Sequence, residues 1–341
     1  MTPYTLLAIG PADPASDRAW LEASYVRRVF RQESTAVNGK RLGSRVLGIG
    51  ADSFVLALRT LLWNCRGPYL ANNPWIGVAL RLTGRRNFAV TGIYAEPGSR
   101  SWRILRRLVG DVPVVTLSES ETAPWNGSGG RSIAVLYGNT FGYPKKQPSD
   151  EFHIFVGGTS DRDQETIRLL EQEVLASSEP VRLTLAVGGT AGEVVSGTSV
   201  VCRPGRLNPD AFGDLMSTAT VVFLPLRDGT RAAGHMVLVG ALETGLPVGV
   251  TPSRGMKEYV QGPSIVLCDP EMPLLPQLRL VSQSAEGNDE SIRCFWQEVF
   301  SLNAYIGRVG EALEAAYHPV RAERGRRTRD QRGIQLHSRR D

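Results

Sequence analysis

Two glycine-bearing segments in the second half of the 341-residue chain carry residue types that bind phosphate. The first is FVGGTSDRD at residues 155–163, which predicts a strand, a glycine turn and the start of a helix. Paired glycines let the backbone approach a ligand, and the first turn of a helix offers unpaired N–H groups to an anion. The candidate diphosphate-binding residues here are Gly157, Gly158, Thr159 and Ser160. Arg162 would add positive charge, but a strand-to-helix turn capped by Asp161 or Asp163 explains the same pattern without a ligand.

The second segment spans residues 221–251 and predicts a strand, a polar loop, a helix that starts at a glycine, and another strand. Small residues before the helix would let the backbone amides of Gly234, His235 and Met236 point at a diphosphate. Arg231 is close enough in sequence to contact it and is, with Arg162, the second candidate catalytic residue. An ordinary βαβ unit is the alternative. Two helix starts with small residues in one half of the chain favour the phosphate interpretation.

These residues resemble a known family. Residues 150–270 look like the C-terminal, donor-binding domain of retaining GT-B glycosyltransferases (glycosyl transferases group 1, family 4-like), which share the patterns F-x-G-G-x-S-x-R-D and G-x-x-x-L-x-E-A-x-x-x-G-x-P-V. The matching residues are Phe155, Gly157, Gly158, Ser160, Arg162, Asp163, Gly234, Leu238, Ala241, Gly245, Pro247 and Val248. Three positions depart from the family: Gly240 replaces a donor-binding Glu, Ala232 an acidic residue and Thr159 an Arg.

The resemblance implies a glycosyltransferase that takes a nucleoside diphosphate sugar, with UDP as the expected nucleotide, and no other cofactor. It implies transfer with retention to a small-molecule or glycan acceptor. The residues expected near the nucleoside and sugar are Cys202, Arg203, Arg227, Asp228 and Glu243. Glu243 would replace the missing family Glu, since it lies one helical turn after Gly240. A solvated loop for Arg203 and a turn role for Asp228 are the alternatives.

The elements that position these residues alternate between strand and helix in both halves, which predicts parallel sheets covered by helices. We expect two Rossmann-like α/β domains facing across a cleft, the GT-B architecture, with an acceptor domain at 1–147, a donor domain at 148–318 and a basic flexible tail at 319–341. The sequence predicts a helix through Val26 and Phe30 capped by Asp17, a strand at 45–50, a helix at 52–64 and a single long helix at 291–317. Segment 137–152 is the predicted linker.

Three residues of the first half are candidates for the acceptor side: Gly50, Asn73 and Trp75. The G-x-G pattern ending at Gly50 is weak evidence for a dinucleotide site, because no acidic residue follows at the required distance. We interpret the G-x-G pattern instead as a loop that an acceptor approaches. Trp75 can stack on a sugar ring or pack in the core.

Composition narrows the function further. The net charge of +5 and pI near 9.2 come largely from the Arg-rich tail, so no nucleic-acid partner is expected. Neither an Asp-x-Asp pair nor a Cys/His metal spacing occurs, so metal dependence is not predicted. The sequence has no long uncharged apolar stretch, and we expect a cytoplasmic protein. A nucleotide-sugar epimerase and a non-catalytic binding module remain alternatives.

Overall fold

The computed structural model describes residues 2–33, 45–62 and 67–317. Their contacts divide the chain into two compact units. Unit 1 comprises Met1–Thr116, Thr122–Val135 and Ile306–Asp341, and unit 2 comprises Leu117–Glu121 and Leu136–Tyr305. The predicted Arg-rich tail lies outside the described residues.

Unit 1 is a parallel sheet of six strands in the order β2-β1-β3-β4-β5-β6. The strands are β1 (Tyr4–Ile9), β2 (Val26–Gln32), β3 (Tyr69–Ala71), β4 (Phe88–Thr91), β5 (Pro113–Thr116) and β6 (Arg131–Ala134). Its helices are α1 (Pro14–Glu22), α2 (Arg45–Leu62), α3 (Pro74–Leu82), α4 (Arg100–Val109) and α5 (Glu119–Gly127), of which α5 begins in unit 2. The short strands are fully buried, as expected of a parallel sheet covered on both faces.

Three predictions in this half are wrong. The segment through Val26 and Phe30 is strand β2, because its parallel pairing with β1 decides between the helical and the strand pattern. Residues 45–50 belong to helix α2, so the predicted strand is absent there. Helix α1 is capped by Asp13, whose carboxylate accepts the N–H of Ser16. Asp17, the predicted cap, forms an ion pair with Arg31 at 2.5 Å.

Unit 2 is a seven-stranded sheet in the order β13-β12-β11-β7-β8-β10-β9, parallel except for the edge strand β9. The strands are β7 (Phe152–Gly157), β8 (Val181–Ala186), β9 (Gly192–Ser196), β10 (Ser199–Arg203), β11 (Val221–Leu224), β12 (Val248–Val250) and β13 (Ile265–Leu267). The helices are α6 (Gln164–Leu175), α7 (Pro209–Ser217), α8 (His235–Thr244), α9 (Leu274–Ser284), α10 (Asp289–Val299) and α11 (Leu302–Tyr317), the last of which ends in unit 1. The two α/β halves predicted from the sequence are confirmed.

The predicted long helix at 291–317 is instead α10 and α11. The break lies at Phe300, whose carbonyl oxygen accepts the N–H of Asn139 at 2.9 Å. A Cβ on Gly138 would lie 2.6 Å from the carbonyl oxygens of Phe300 and Ser301. The backbones approach this closely because residue 138 is glycine.

Segment 136–147, predicted to end the first domain, belongs to unit 2 and is held there by Glu243 of α8. The carboxylate oxygens of this buried residue accept the N–H groups of Phe141 at 2.9 Å and Gly142 at 2.8 Å, and the N–H of Tyr143 also donates to it. Burial raises the pKa of Glu243, and these hydrogen bonds oppose that rise. Glu243 thereby fixes segment 136–147 to helix α8.

We expect Glu243→Ala to lower the free energy of unfolding by about 3 kcal/mol, because it leaves buried N–H groups without an acceptor. Denaturant titration measures this change. Exposed Glu298 of α10 is the matched control, and Glu298→Ala should change stability by less than about 0.5 kcal/mol. Equal losses in the two variants would show that Glu243 does not anchor the segment.

Candidate functional site

The order of strands in unit 2 reverses at β7, because β8 lies on one side of it and β11 on the other. Ligands of open α/β sheets bind beyond the carboxyl ends of the strands at such a point. The loops that follow β7 and β11 are joined there by backbone hydrogen bonds, from Arg227 N–H to the Asp161 carbonyl at 3.0 Å and from Asp163 N–H to the Pro225 carbonyl at 2.9 Å. The two predicted phosphate segments therefore meet at one place.

Arg162 lies beneath these two loops and is only 4% exposed. Its Nε and Nη2 donate to the Gly157 carbonyl oxygen at 2.8 and 2.6 Å, and its Nη1 donates to the Ser160 carbonyl oxygen at 2.9 Å. Burial lowers the pKa of Arg162 to about 10, so the side chain remains a cation at neutral pH. The guanidinium holds the glycine turn in shape and gives the site a permanent positive charge.

Two glycines border this guanidinium, one from each loop. Gly158 and Gly234 have φ values of 85° and 89°, the left-handed region that favours glycine. A Cβ on Gly158 would lie 2.6 Å from Arg162 Nη2, and one on Gly234 would lie 3.4 Å from Nη1 and 3.1 Å from a methyl carbon of Leu226. The structure thus brings Gly157, Gly158, Arg162 and Gly234 together, as the sequence patterns suggested.

Helix α8 starts at this point without a side-chain cap. Gly234 is its N-cap residue and no side chain bonds to its first turn, whereas Asp163 caps α6 and Asn208 caps α7. The first N–H groups of a helix need acceptors. Those of His235 and Met236 are therefore placed to bind an anion, and the Met236 side chain is exposed.

Arg231 and Asp161 form an ion pair across the two loops, with Nη2 3.6 Å from Oδ2. Both side chains are about one-third exposed, at 31% and 35%. Asp161 has a φ of 53°, so the turn that carries it is tightly folded. Arg231 is consequently held at the surface of the site, where an incoming anion can compete with Asp161 for it.

Residues 117–121 support the loop that carries Arg231, and the sequence did not predict this contact. The Ser120 hydroxyl donates to the Thr230 carbonyl at 2.6 Å, and buried Glu121 accepts the N–H of Ala232 at 3.3 Å. Residues 117–121 and the Arg231 loop are more than 100 residues apart in sequence. No local pattern signals such a contact.

The His235 side chain turns away from the anion position. Its Nδ1 contacts the carbonyl oxygen of Ala232, and its ring packs edge-on against Tyr137 at 4.7 Å between centroids. Burial, together with the charges of Arg231 and Arg162, lowers the pKa of His235 to about 4, although the contact with the Ala232 carbonyl opposes this shift. The ring is neutral at pH 7, so only the backbone N–H of this residue can serve a phosphate.

Four of the five residues predicted to contact nucleoside or sugar have other partners. Arg203 forms an ion pair with Glu171 of α6. Asp228 binds both the backbone N–H and the side chain of Arg254, at 3.0 and 2.9 Å, and this hydrogen bonding lowers its pKa. Both carboxylate oxygens of Glu243 are occupied by segment 136–147.

These bonds support the turn role for Asp228 and correct the ribose role given to Glu243. The fourth residue, Cys202, is half-buried in β10 and pairs there with β8 and β9. The Arg227 side chain is exposed beside the site.

An aromatic wall borders the glycine turn where no site residue was predicted. A Cβ on Gly157 would lie 2.6 Å from the Phe212 ring, and one on Gly240 would lie 2.8 Å from the Tyr143 ring. The Phe212 and Tyr143 rings are 6.4 Å apart, and Tyr143 stacks on Phe141 at 4.9 Å. Burial, with Glu243 and Asp210 nearby, raises the pKa of Tyr143 to about 12. Gly240 stands where the similar GT-B sequence pattern has Glu, and it leaves room for this ring.

The predicted acceptor residues of unit 1 are dispersed. Gly50 lies inside helix α2 and not in a loop, because the apolar run around it continues as a helix. Asn73 caps α3 by accepting the N–H of Trp75 at 2.9 Å, and Trp75 packs against the core. The neighbouring Asn72 follows β3, which pairs with β1 where the strand order of unit 1 reverses, and its buried Oδ1 has no hydrogen-bond partner in the described structure. Asn72 is therefore better placed than Asn73 for the predicted acceptor-side role.

Comparison with known proteins identifies the fold. No protein-family model and no curated protein sequence matches the chain. Sucrose-phosphate synthase from Thermosynechococcus elongatus is 13% identical with a TM-score of 0.64, over 93% of this chain and 100% of that one. A glycosyltransferase from Rickettsia africae is 12% identical with a TM-score of 0.59, over 93% and 99%. Anabaena Alr3699/HepE in complex with UDP-glucose is 12% identical with a TM-score of 0.59, over 91% and 99%.

The fold is accordingly that of GT-B glycosyltransferases, as predicted. In the described residues, no group of three or more His, Cys, Asp or Glu side chains is arranged to hold a metal ion.

We expect acid to destabilise the protein through His235. Its pKa lies near 4 when folded and near 6.5 when unfolded, so the unfolded chain binds the additional proton. Between pH 7 and pH 5 the free energy of unfolding should fall by about 2 kcal/mol from this group. His235→Asn, which keeps a hydrogen-bond donor without a titrating ring, should remove that part of the fall, measured by denaturant titration at both values. An unchanged pH dependence in the variant would contradict the burial of a neutral ring.

Gly234→Ala should distort the start of α8, because alanine at this φ meets Leu226. We expect a loss of about 1–3 kcal/mol of unfolding free energy and weaker binding of anions at the site. Gly229→Ala in the same loop is the control, since its Cβ would have only one neighbour, at 4.0 Å. Thermal unfolding with and without a nucleoside diphosphate measures both effects, and equal behaviour of the two variants would contradict the geometry.

Proposed function

We propose that this protein is a glycosyltransferase that transfers a sugar from a nucleoside diphosphate sugar to an acceptor. The observation that carries the proposal is the convergence of two glycine loops, a buried arginine and an uncapped helix start at the strand-order reversal of unit 2. This combination suits a diphosphate, because it offers both hydrogen-bond donors and positive charge.

In this proposal, the backbone N–H groups of His235 and Met236 and the glycine turn at Gly158 bind the diphosphate oxygens. Thr159 and Ser160, both exposed beside the turn, add hydroxyl donors. Arg162 acts through the turn that it holds, since three of its hydrogen bonds are to backbone carbonyls of Gly157 and Ser160. It also contributes its charge at short range.

Arg231 is the residue that we assign to catalysis. Negative charge grows on the diphosphate as the glycosidic bond breaks, and a cation that approaches it lowers the barrier. Arg231 is paired only at 3.6 Å with Asp161, so it can exchange that partner for a phosphate oxygen. Retention at the anomeric carbon follows from the family resemblance and belongs to the proposal. Independence of divalent metal also belongs to it and rests on the lack of an Asp-x-Asp pair in the sequence.

The nucleoside would lie against the aromatic wall beside Gly157. Phe212 and Tyr143 present ring surface there, and an aromatic ring can stack on a base. UDP is the nucleotide we propose, supported by the Anabaena structures of similar fold that are in complex with UDP and UDP-glucose. Stacking replaces the acidic ribose contact that Gly240 cannot make.

We expect Arg231→Gln to weaken UDP binding at least about tenfold and to lower glycosyl transfer or donor hydrolysis more strongly, because charge stabilisation counts most in the transition state. Calorimetry with UDP and product analysis with UDP-glucose measure the two effects. Arg168→Gln is the control, since Arg168 also pairs with a carboxylate but lies exposed on α6.

Three outcomes separate this function from its rivals. Unchanged binding and turnover in Arg231→Gln would remove the residue from the mechanism. Conversion of the sugar nucleotide without any acceptor or water would indicate an epimerase. Binding of UDP-sugars with neither transfer nor hydrolysis would indicate a binding module.

A further inference from the structure

Helix α2 of unit 1 carries an apolar stripe on its exposed side. The stripe consists of Phe54, Val55, Leu58, Leu61 and Leu62, whose exposed fractions range from 42% to 83%. Their spacing places them on one arc of the helix. Between residues 51 and 62 the other exposed residues are Ala51 and Arg59. The solvent side of α2 therefore offers almost no polar group.

The opposite side of α2 packs into the unit 1 core through Leu56 and Ala57. The polar residues Asp52, Ser53 and Thr60 are also buried on α2, so its large apolar side chains are concentrated on the exposed arc. Single exposed leucines are ordinary in proteins, but a contiguous exposed stripe of five large side chains marks an interaction surface.

Exposed arginines occur in the same part of unit 1 as the stripe. Helix α3 packs against both α2 and α4, and the three right-handed crossovers that contain these helices run in the same direction across the sheet. Residues 45–110 contain ten Arg, no Lys and two acidic residues, Asp52 and Glu96. Asp52 is buried. Among the side chains of residues 45–110 that the structure describes, the exposed arginines are Arg59, Arg86, Arg100, Arg103 and Arg107.

We propose that this face binds the surface of an anionic lipid bilayer. An interfacial helix combines an apolar stripe, which enters the boundary between headgroups and acyl chains, with basic residues that meet anionic headgroups. Leu82 at the end of α3 and Ile104 on α4 are also exposed, at 60% and 49%, and extend the apolar contact. None of the described helices is long and apolar enough to cross a membrane, so the contact is peripheral.

Charge argues against a second copy of the chain as the occupant. A symmetric dimer through this face would bring the arginines of one copy toward those of the other, with only Glu96 as an exposed acidic residue in the segment to compensate. Like charges brought together across an interface are costly. An anionic bilayer satisfies both the stripe and the arginines.

The test is co-sedimentation of the full chain with vesicles of phosphatidylcholine alone and of phosphatidylcholine mixed with phosphatidylglycerol. We expect binding to the mixed vesicles only, weakened by high salt. Leu58→Gln with Leu62→Gln removes apolar area from exposed positions, keeps good helix formers and should weaken vesicle binding at least about tenfold. Its control is Leu169→Gln with Leu280→Gln, at positions 37% and 66% exposed in unit 2, which should bind as the wild type does.

Two results would overturn the proposal. Equal vesicle binding by the α2 variant and the wild type would show that other basic residues, including those of the C-terminal segment, account for any attraction to lipid. Light scattering that finds a wild-type dimer and a monomeric α2 variant in the absence of lipid would assign the stripe to a second copy. Neither result depends on sugar nucleotides, so UDP binding tests the proposed function separately.

Discussion

The candidate site depends on a single buried guanidinium. Removing a cation from water is costly unless its donors are satisfied, and Arg162 meets that requirement with the carbonyl oxygens of Gly157 and Ser160. Because both acceptors are uncharged, these hydrogen bonds do not neutralise the guanidinium, and Asp161 interacts with it electrostatically. The same side chain that shapes the first loop thus leaves a fixed positive potential beneath both loops. The left-handed glycines at 158 and 234 are required because any larger residue would meet this guanidinium or its neighbours.

Elsewhere in unit 2, buried carboxylates accept hydrogen bonds from backbone N–H groups, just as Arg162 donates hydrogen bonds to backbone carbonyl oxygens. Glu243 accepts the N–H groups of segment 136–147, and Glu121 accepts the N–H of Ala232 beside Arg231. Loops that carry function seldom have regular structure to satisfy their backbone. In this protein, charged side chains brought from distant parts of the chain satisfy it instead.

Local signals explain what the sequence could predict. The start of α7 and the end of α8 can be located from the sequence, because Asn208, Pro209 and Gly245 mark helix ends through their own conformational preferences. Both glycine turns of the site were found for the same reason. The partners of Arg203 and Glu243 could not be predicted, because Glu171 and segment 136–147 lie 32 and about 100 residues away. In the first half, Val26 and Phe30 fit a helical and an alternating pattern equally, and pairing with β1 decides between them.

The way the chain is shared between the units limits how this protein can be recombined. Residues 117–121 leave unit 1 for unit 2, and the chain returns to unit 1 at Ile306. No single crossover point therefore separates two complete modules. In a chimera joined at residue 147, Glu243 would meet a segment 136–147 from another protein. The C-terminal helix would likewise meet a unit 1 from another protein. Exchange of one unit by recombination would have to keep residues 117–121 and 136–147 with unit 2 and the segment that begins at Ile306 with unit 1.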